Sequence, residues 1–329
     1  MLTKILVTGA NGHLGNNLIR SLLKNGNKVR ASVRDTKNMK PFDELKCELV
    51  YADILDFDSL VEALDGIETV YHTAAVFKHW AANPIKEIIN PNAEGTNNLF
   101  NAAKICGVNK IIYTSSIVAL DYNKPPLSPD TWNSNYINPY NQSKTESEKT
   151  AWKLAEELDI ETIAVLPSAI IGGHSYGHLT PTMIMLKSIM ENQMTFDINF
   201  TLNYIDVEDV AAGMIAAAIK GKPGQRYILG NKKPINTCKL FEIAKDLFPE
   251  VKTPPVISKE QLMQFAINSY EQSKRTGGAP ALLPYLVESS YEADVRLDIS
   301  KSEQELGFNP LSPEEAIRNA FVYLKNRGT

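Results

Sequence analysis

Short apolar runs rich in β-branched residues alternate with longer stretches of helical period through the first half of the chain. The runs at 4–8, 28–33, 48–52, 69–72, 110–114 and 162–166 read as strands, and the stretches at 13–25, 57–64, 85–106 and 140–158 read as the helices between them. Strands separated by helices mark βαβ units, so the pattern predicts an α/β fold built on a doubly wound parallel sheet. One connection breaks the rhythm: 120–139 is polar, has no period and carries Pro125, Pro126, Pro129 and Pro139. A loop of that length inside a compact domain is expected to be a lid or a binding loop. Beyond 166 the pattern loosens. Pro167, Gly172, Gly173, Gly177 and Pro181 punctuate a loop, helices follow near 181–192, 207–219, 237–247, 259–273 and 313–326, and short strands lie at 202–205 and 225–229. The expectation is a sheet domain over 1–166 and a smaller, mixed substrate lobe over 167–329, packed on the sheet edge and lending at least one strand back to it.

Composition narrows the partners more than the fold. The chain has 329 residues, 43% of them hydrophobic and 22% charged, as in an ordinary globular protein. Its net charge is -4 and it has no basic block, which argues against nucleic acid or an anionic membrane surface and leaves small molecules. The three cysteines, Cys47, Cys106 and Cys238, have no metal-type spacing and read as reduced thiols. The chain runs directly into the first strand with no signal segment, and no apolar run approaches the roughly 18 residues that span a bilayer. A cytoplasmic location is therefore expected.

The first strand runs into TGANGHLG at 8–15, with Gly9, Gly12 and Gly15 three apart and an amphipathic helix starting at His13. In that context the small residues let the backbone approach a pyrophosphate, and the helix N-terminus supplies N–H groups and partial positive charge. The spacing GxxGxxG does not stand alone. In order along the chain come VYADILD at 50–56, HTAA at 72–75, NAEGTNNLFNAA at 92–103, YTSS at 113–116, YNQSK at 140–144, LPSAIIGG at 166–173, YIDVEDVAAG at 204–213 and LGFNP at 306–310. Together they resemble the extended branch of the short-chain dehydrogenase/reductase superfamily, and within it dihydroflavonol-reductase-like proteins. Bacterial hopanoid-associated sugar epimerases are similar too, around 76–81 and 221–230. The resemblance implies a Rossmann sheet and an NAD(P)-dependent oxidoreductase acting on carbonyl or CH–OH groups. It also implies cofactor contacts at Gly9, Asn11, Gly12, His13, Leu14 and Gly15 in the loop, at Asp53 and Ile54 beside the adenine, and at Thr73, Ala74 and Ala75. Ser115, Pro167, Ala169 and Ile170 complete that set.

NAD enzymes of this fold usually close the second strand with an acid that grips the ribose hydroxyls. Here the strand runs Val29-Arg30-Ala31-Ser32-Val33-Arg34, uncharged at Ser32 and Val33, with Arg34 next and Lys37 close by. A guanidinium forks onto a 2′-phosphate, so NADP(H) is favoured. Asp35 on the ribose, with Arg34 and Lys37 as a solvated edge, keeps NAD(H) open.

YNQSK at 140–144 has a near twin in YEQSK at 270–274, and each stacks a lysine one helical turn after a tyrosine. What separates them is company. Thr114, Ser115 and Ser116 end a strand just upstream of Tyr140, and the long loop delivers the chain to it, whereas Tyr270 sits in a polar helix end with no serine-bearing strand before it. By resemblance Tyr140 is the general acid, Lys144 binds ribose and lowers the tyrosine pKa, and Ser116 is the catalytic serine, although Ser115 and Ser116 are ambiguous by one residue.

Candidate substrate-lining residues follow the strand ends: Phe77, Lys78, His79 and Trp80, then Trp132, Tyr136 and Asn138, then Ser168, Ile171, His174 and Tyr176. Lys78 and His79 read equally well as surface residues, and Met183, Met185 and Met190 as core filling. No ligand spacing around His174 and His178 suggests a metal. Beyond Leu166 there are five arginines, Arg226, Arg275, Arg296, Arg318 and Arg327, few for gripping a nucleotide diphosphate. The expected activity is NADPH-dependent reduction of a mainly apolar ketone or aldehyde. An NAD-dependent sugar epimerase, a hydroxysteroid-type dehydrogenase and a non-catalytic dinucleotide-binding redox sensor are the alternatives. The resemblance also allows a homodimer through helices 85–106 and 140–158.

Overall fold

A computed structural model of the chain describes residues 4–136, 138–175 and 179–327. Its elements run β1 (Ile5–Thr8), α1 (His13–Lys24), β2 (Val29–Val33), β3 (Glu48–Tyr51), α2 (Phe57–Leu64), β4 (Thr69–His72), α3 (Asn90–Ile105), β5 (Lys110–Thr114), α4 (Pro139–Leu158), β6 (Glu161–Pro167) and β7 (Ala169–Ile171). The second half adds α5 (Pro181–Met190), β8 (Thr201–Leu202), β9 (Tyr204–Asp206), α6 (Val207–Lys220), β10 (Arg226–Leu229) and β11 (Ile235–Asn236). It ends with α7 (Thr237–Leu247), α8 (Lys259–Thr276), α9 (Pro284–Ser290) and α10 (Pro313–Arg327).

Seven strands form one parallel sheet in the order β10-β6-β5-β4-β1-β2-β3. It is a Rossmann-type sheet, and β10, from beyond residue 166, is one of its two edge strands. Side chains alternate between two cores, as strand geometry requires. Leu6 and Ile111 face the cluster under α2, α3 and α4, while Val7 and Ile112 face the one under α1 and α6. Strand order reverses between β1 and β4, and ligands of open α/β sheets bind at the carboxyl ends beside such a reversal. A separate core gathers α5, α7 and α10, and a small one gathers α8 and α9.

Two expected elements differ in form. The strand at 202–205 is divided: β8 pairs with β11, β9 pairs with β7, and Asn203 stands between them. Its side chain donates to the Asn231 and Val295 carbonyls and accepts from the Asn231 amide, long-range bonds that tie this point to the segments around Asn231 and Val295. The helix at 85–106 opens with a π-helical turn at Ile85–Ile89 before α3. Pro91 explains the change of pitch, because it has no N–H to give the carbonyl four residues back.

Phe100 of α3 is wholly buried against the sheet. Phe100→Ala is expected to destabilise the protein by about 3–5 kcal/mol, measured as a fall in the urea midpoint.

Candidate active site

The glycine loop is built for close approach. Gly9 has φ +64°, and a Cβ there would lie 2.8 Å from the Ala74 Cα; a Cβ on Gly15 would lie 2.3 Å from the Gly9 carbonyl oxygen. Gly12 caps α1 with no side-chain bond, so no side chain of the cap competes for the first N–H groups of the helix. Asn11 is exposed and Leu14 packs on the core. His13 turns its ring aside, with Nε2 bonded to the Gly173 carbonyl at 3.0 Å, and burial pulls its pKa down. The loop after β7 is thereby pinned to the start of α1. These features fit a dinucleotide, which the N-terminal amides of α1 and the glycine backbone would hold.

At the end of β2, Ser32 is buried while Arg34, Asp35 and Lys37 are exposed. The Asp35 carboxylate accepts the Lys37 amide at 2.9 Å, closing a turn. Asp53 is half-buried and accepts the Leu55 amide, whereas α2 is capped by Asp56. Ile54 packs into the space left by Gly95.

At the reversal, the Thr8 hydroxyl meets His72 Nδ1 at 2.9 Å and accepts the Thr73 and Ala74 amides at 3.1 and 3.2 Å. Burial takes the His72 pKa down to about 3, so this ring stays neutral. Thr73, Ala74 and Ala75 are thus held beside the glycine loop.

Tyr140 enters one residue into α4, whose cap is the buried Asn138 accepting the Asn141 amide at 2.8 Å. Its phenol lies beside the Ser116 hydroxyl, and burial outweighs the downward pull of that neighbour to push its pKa up to about 12. Ser116 Oγ also accepts the Val118 amide at 3.3 Å. Ser115 goes the other way: it is buried, and its hydroxyl donates to Glu148 Oε2 at 2.5 Å. Lys144 donates to the Thr114 carbonyl at 2.9 Å, and burial brings its pKa down to about 8 against the opposing pull of Glu148. Ser116, Tyr140 and Lys144 are therefore one cluster at the end of β5.

The rings of Phe77 and His79 stand edge-on to Tyr140, with centroids 5.0 and 5.2 Å away. His79 is partly buried with Nδ1 unpartnered, and Tyr285 of α9 reaches across to its backbone carbonyl at 2.7 Å. The other candidates lie differently. Lys78 is exposed and pairs with Glu87, and Trp80 is half-buried. Trp132 lies under the Arg226 guanidinium, 3.8 Å from its centre, so it is packed as part of the framework. Ser168 is buried with an unpartnered hydroxyl, Ile171 and Met183 are core, and Tyr136 is exposed. Pro167 ends β6, and Ala169 and Ile170 form β7 against β9. Tyr176 and His178 lie outside the described residues. Tyr270 sits late in α8 under the Lys274 ammonium, itself paired with Glu271 at the surface.

A family model described as the NAD dependent epimerase/dehydratase family matches residues 5–230. The chain belongs to that family. Among curated proteins it is 30% identical to sterol demethylase protein B of Methylococcus capsulatus, over 98% of each chain. It is also 30% identical to a putative dihydroflavonol 4-reductase of Synechocystis, over 98% of this chain and 94% of that one. The solved structure of gox2253 superposes with a TM-score of 0.85 at 31% identity, covering 99% of both chains. As a member of the epimerase/dehydratase family, the protein is an NAD(P)-dependent oxidoreductase of carbonyl or CH–OH groups.

For an epimerase/dehydratase family chain, four residues around the site escaped the sequence: Glu148, Arg226, Tyr122 and Tyr285. Tyr122 lies close to Tyr140. Glu148 had a readable signal, since Tyr140, Lys144, Glu148 and Trp152 recur every four residues and share a helix face. Tyr285 had none, being far along the chain from His79.

Because Gly9 combines a positive φ with backbone contact, Gly9→Ala is expected to weaken dinucleotide affinity at least about tenfold, read by fluorescence titration of the bound nicotinamide.

Proposed function

We propose that the protein is an NADPH-dependent reductase of a mainly apolar ketone or aldehyde. The observation that carries this reading is the cluster at the end of β5, with Ser116 beside the Tyr140 phenol and Lys144 one turn on, walled by Phe77 and His79. When bound, the dinucleotide supplies the hydride. Ser116 would hold the substrate oxygen, and Tyr140, protonated well above neutrality by its burial, would give that oxygen its proton. The Lys144 ammonium stabilises the phenolate left behind. Phe77 and His79 offer ring edges to an apolar or flat substrate.

Arg34 supports NADPH, since it is exposed at the end of β2 while Asp35 is engaged in its own turn. Three of the five arginines beyond Leu166 are already engaged: Arg226 is buried against Glu148, Arg296 pairs with Asp294, and Arg318 pairs with Asp246. That weighs against a nucleotide-sugar epimerase. The name of the dihydroflavonol 4-reductase relative supports ketone reduction, and that of the sterol demethylase protein B relative favours a hydroxysteroid-type substrate as the second reading.

Assayed with NADPH and a panel of ketones, aldehydes and keto-steroids, Tyr140→Phe is expected to lose about a hundredfold or more in kcat, while Tyr270→Phe keeps wild-type rates. Wild-type turnover in Tyr140→Phe would overturn the mechanism. Activity should fall as pH rises through about 8, where Lys144 loses the proton it carries below that value. Arg34→Ala should lose roughly tenfold or more in NADPH affinity and little for NADH, measured by titration with each.

A further inference from the structure

Under the cluster lies a buried carboxylate that the proposed reaction does not consume. Glu148 is wholly buried on α4, one turn beyond Lys144. It accepts Arg226 Nε at 2.7 Å and Nη2 at 3.0 Å, the Ser115 hydroxyl at 2.5 Å and Trp152 Nε1 at 3.2 Å. Arg226, the first residue of the edge strand β10, donates from Nη1 to the Pro129 and Thr131 carbonyls at 2.8 and 2.6 Å. One ion pair thus joins the edge strand, the end of β5, the catalytic helix and the long loop leading to Tyr140.

We propose that the Glu148–Arg226 pair is a positioning device for the reaction: it turns Ser115 inward so that Ser116 faces Tyr140, and it sets a carboxylate one turn from the Lys144 ammonium. The proposal rests on the reductase reading for its consequence in turnover. Adjacent side chains of an extended segment point in opposite directions, and Ser116 is extended, with φ -164° and ψ 156°. Fixing Ser115 on Glu148 therefore decides which serine reaches the phenol. Stability alone gives no reason for two charges here, because a well-packed apolar pair often serves a fold equally well.

The charges around Lys144 can be named. His72 of β4 faces it and is neutral, Tyr140 stands one turn before it, and the Thr114 carbonyl of β5 accepts its hydrogen bond. Among the described residues, Glu148 is the anion acting on it, raising its pKa while burial lowers it. Glu148 is itself faced by Ser115 and Tyr113 of β5 and by Arg226 of β10. Without the carboxylate, the ammonium would lose its proton at lower pH.

Two readouts test this. The ε-methylene NMR signal of Lys144, assigned by its loss in Lys144→Arg, reports the lysine midpoint without any turnover. In Glu148→Gln that midpoint should fall by about one pH unit or more, and the alkaline limb of kcat/KM should move with it. If the unpaired Arg226 prevents folding, the double variant Glu148→Gln/Arg226→Met removes both charges at similar volume and should show the same fall. Ser115→Ala, which keeps the pair, should lose about tenfold in kcat. A wild-type lysine midpoint in whichever Glu148 variant folds, or wild-type kcat in Ser115→Ala, overturns the proposal. Should the wild type reduce no carbonyl compound, the reductase reading fails separately, and the lysine midpoint still decides the carboxylate's role.

Discussion

Everything at this site depends on β1 and β4 lying side by side though the chain visits two other strands between them. Parallel neighbours end at the same rim, so Thr8 and His72 arrive together and the Thr8 hydroxyl can bind the ring of one residue and the amides of the next two. That small knot sets the 73–75 segment against Gly9 so tightly that a side chain there would collide with Ala74. Next along the rim, β5 delivers Ser115 and Ser116. The placing of the glycine loop and of the Ser116, Tyr140 and Lys144 cluster is therefore a consequence of strand order before it is a consequence of any one residue.

The second constraint is electrostatic. A buried charge is tolerated only when it is paired and hydrogen-bonded. Glu148 and Arg226 meet that condition completely, since the carboxylate takes donors from Arg226, Ser115 and Trp152 and the guanidinium fills its remaining directions with Pro129 and Thr131 carbonyls and the Trp132 face. Satisfying them has a geometric price in freedom: the prolines of the 120–139 loop and the strand contributed by the second half of the chain can no longer move independently of α4. Trp132, expected from the sequence to line the substrate site, also packs into that framework.

The sheet was legible because burial on both faces leaves nearly continuous apolar strands, and glycines, prolines and helix caps punctuate them. All six strands read in the first half occur, within a residue or two of their expected ends. The strand at 202–205 was misjudged because local apolar character cannot reveal that Asn203 would spend its amide on Asn231. Tyr140, Lys144 and the glycine loop carried local patterns, and the structure brings them to one rim. The choice between Ser115 and Ser116 did not, because it turns on a carboxylate thirty-odd residues later and an arginine on another strand. His79 could be read as surface or pocket for a similar reason: its cover, Tyr285, comes from α9.

Burial drives Tyr140 and Lys144 in opposite directions, the phenol upward to about 12 and the amine downward to about 8. Left to desolvation alone, both groups would settle in their neutral forms, a pair with no means of sharing charge. Something must favour the ammonium if it is to stabilise a phenolate, and the buried carboxylate at Glu148 does so from the side opposite the tyrosine. The twin at Tyr270 and Lys274 lacks that opposition. There the ammonium lies at the surface and pairs with Glu271, where water screens the charges. The same two side chains at the same spacing are thus a tension at one place and an ordinary surface contact at the other, and the difference comes from the dielectric around them and the acid beneath.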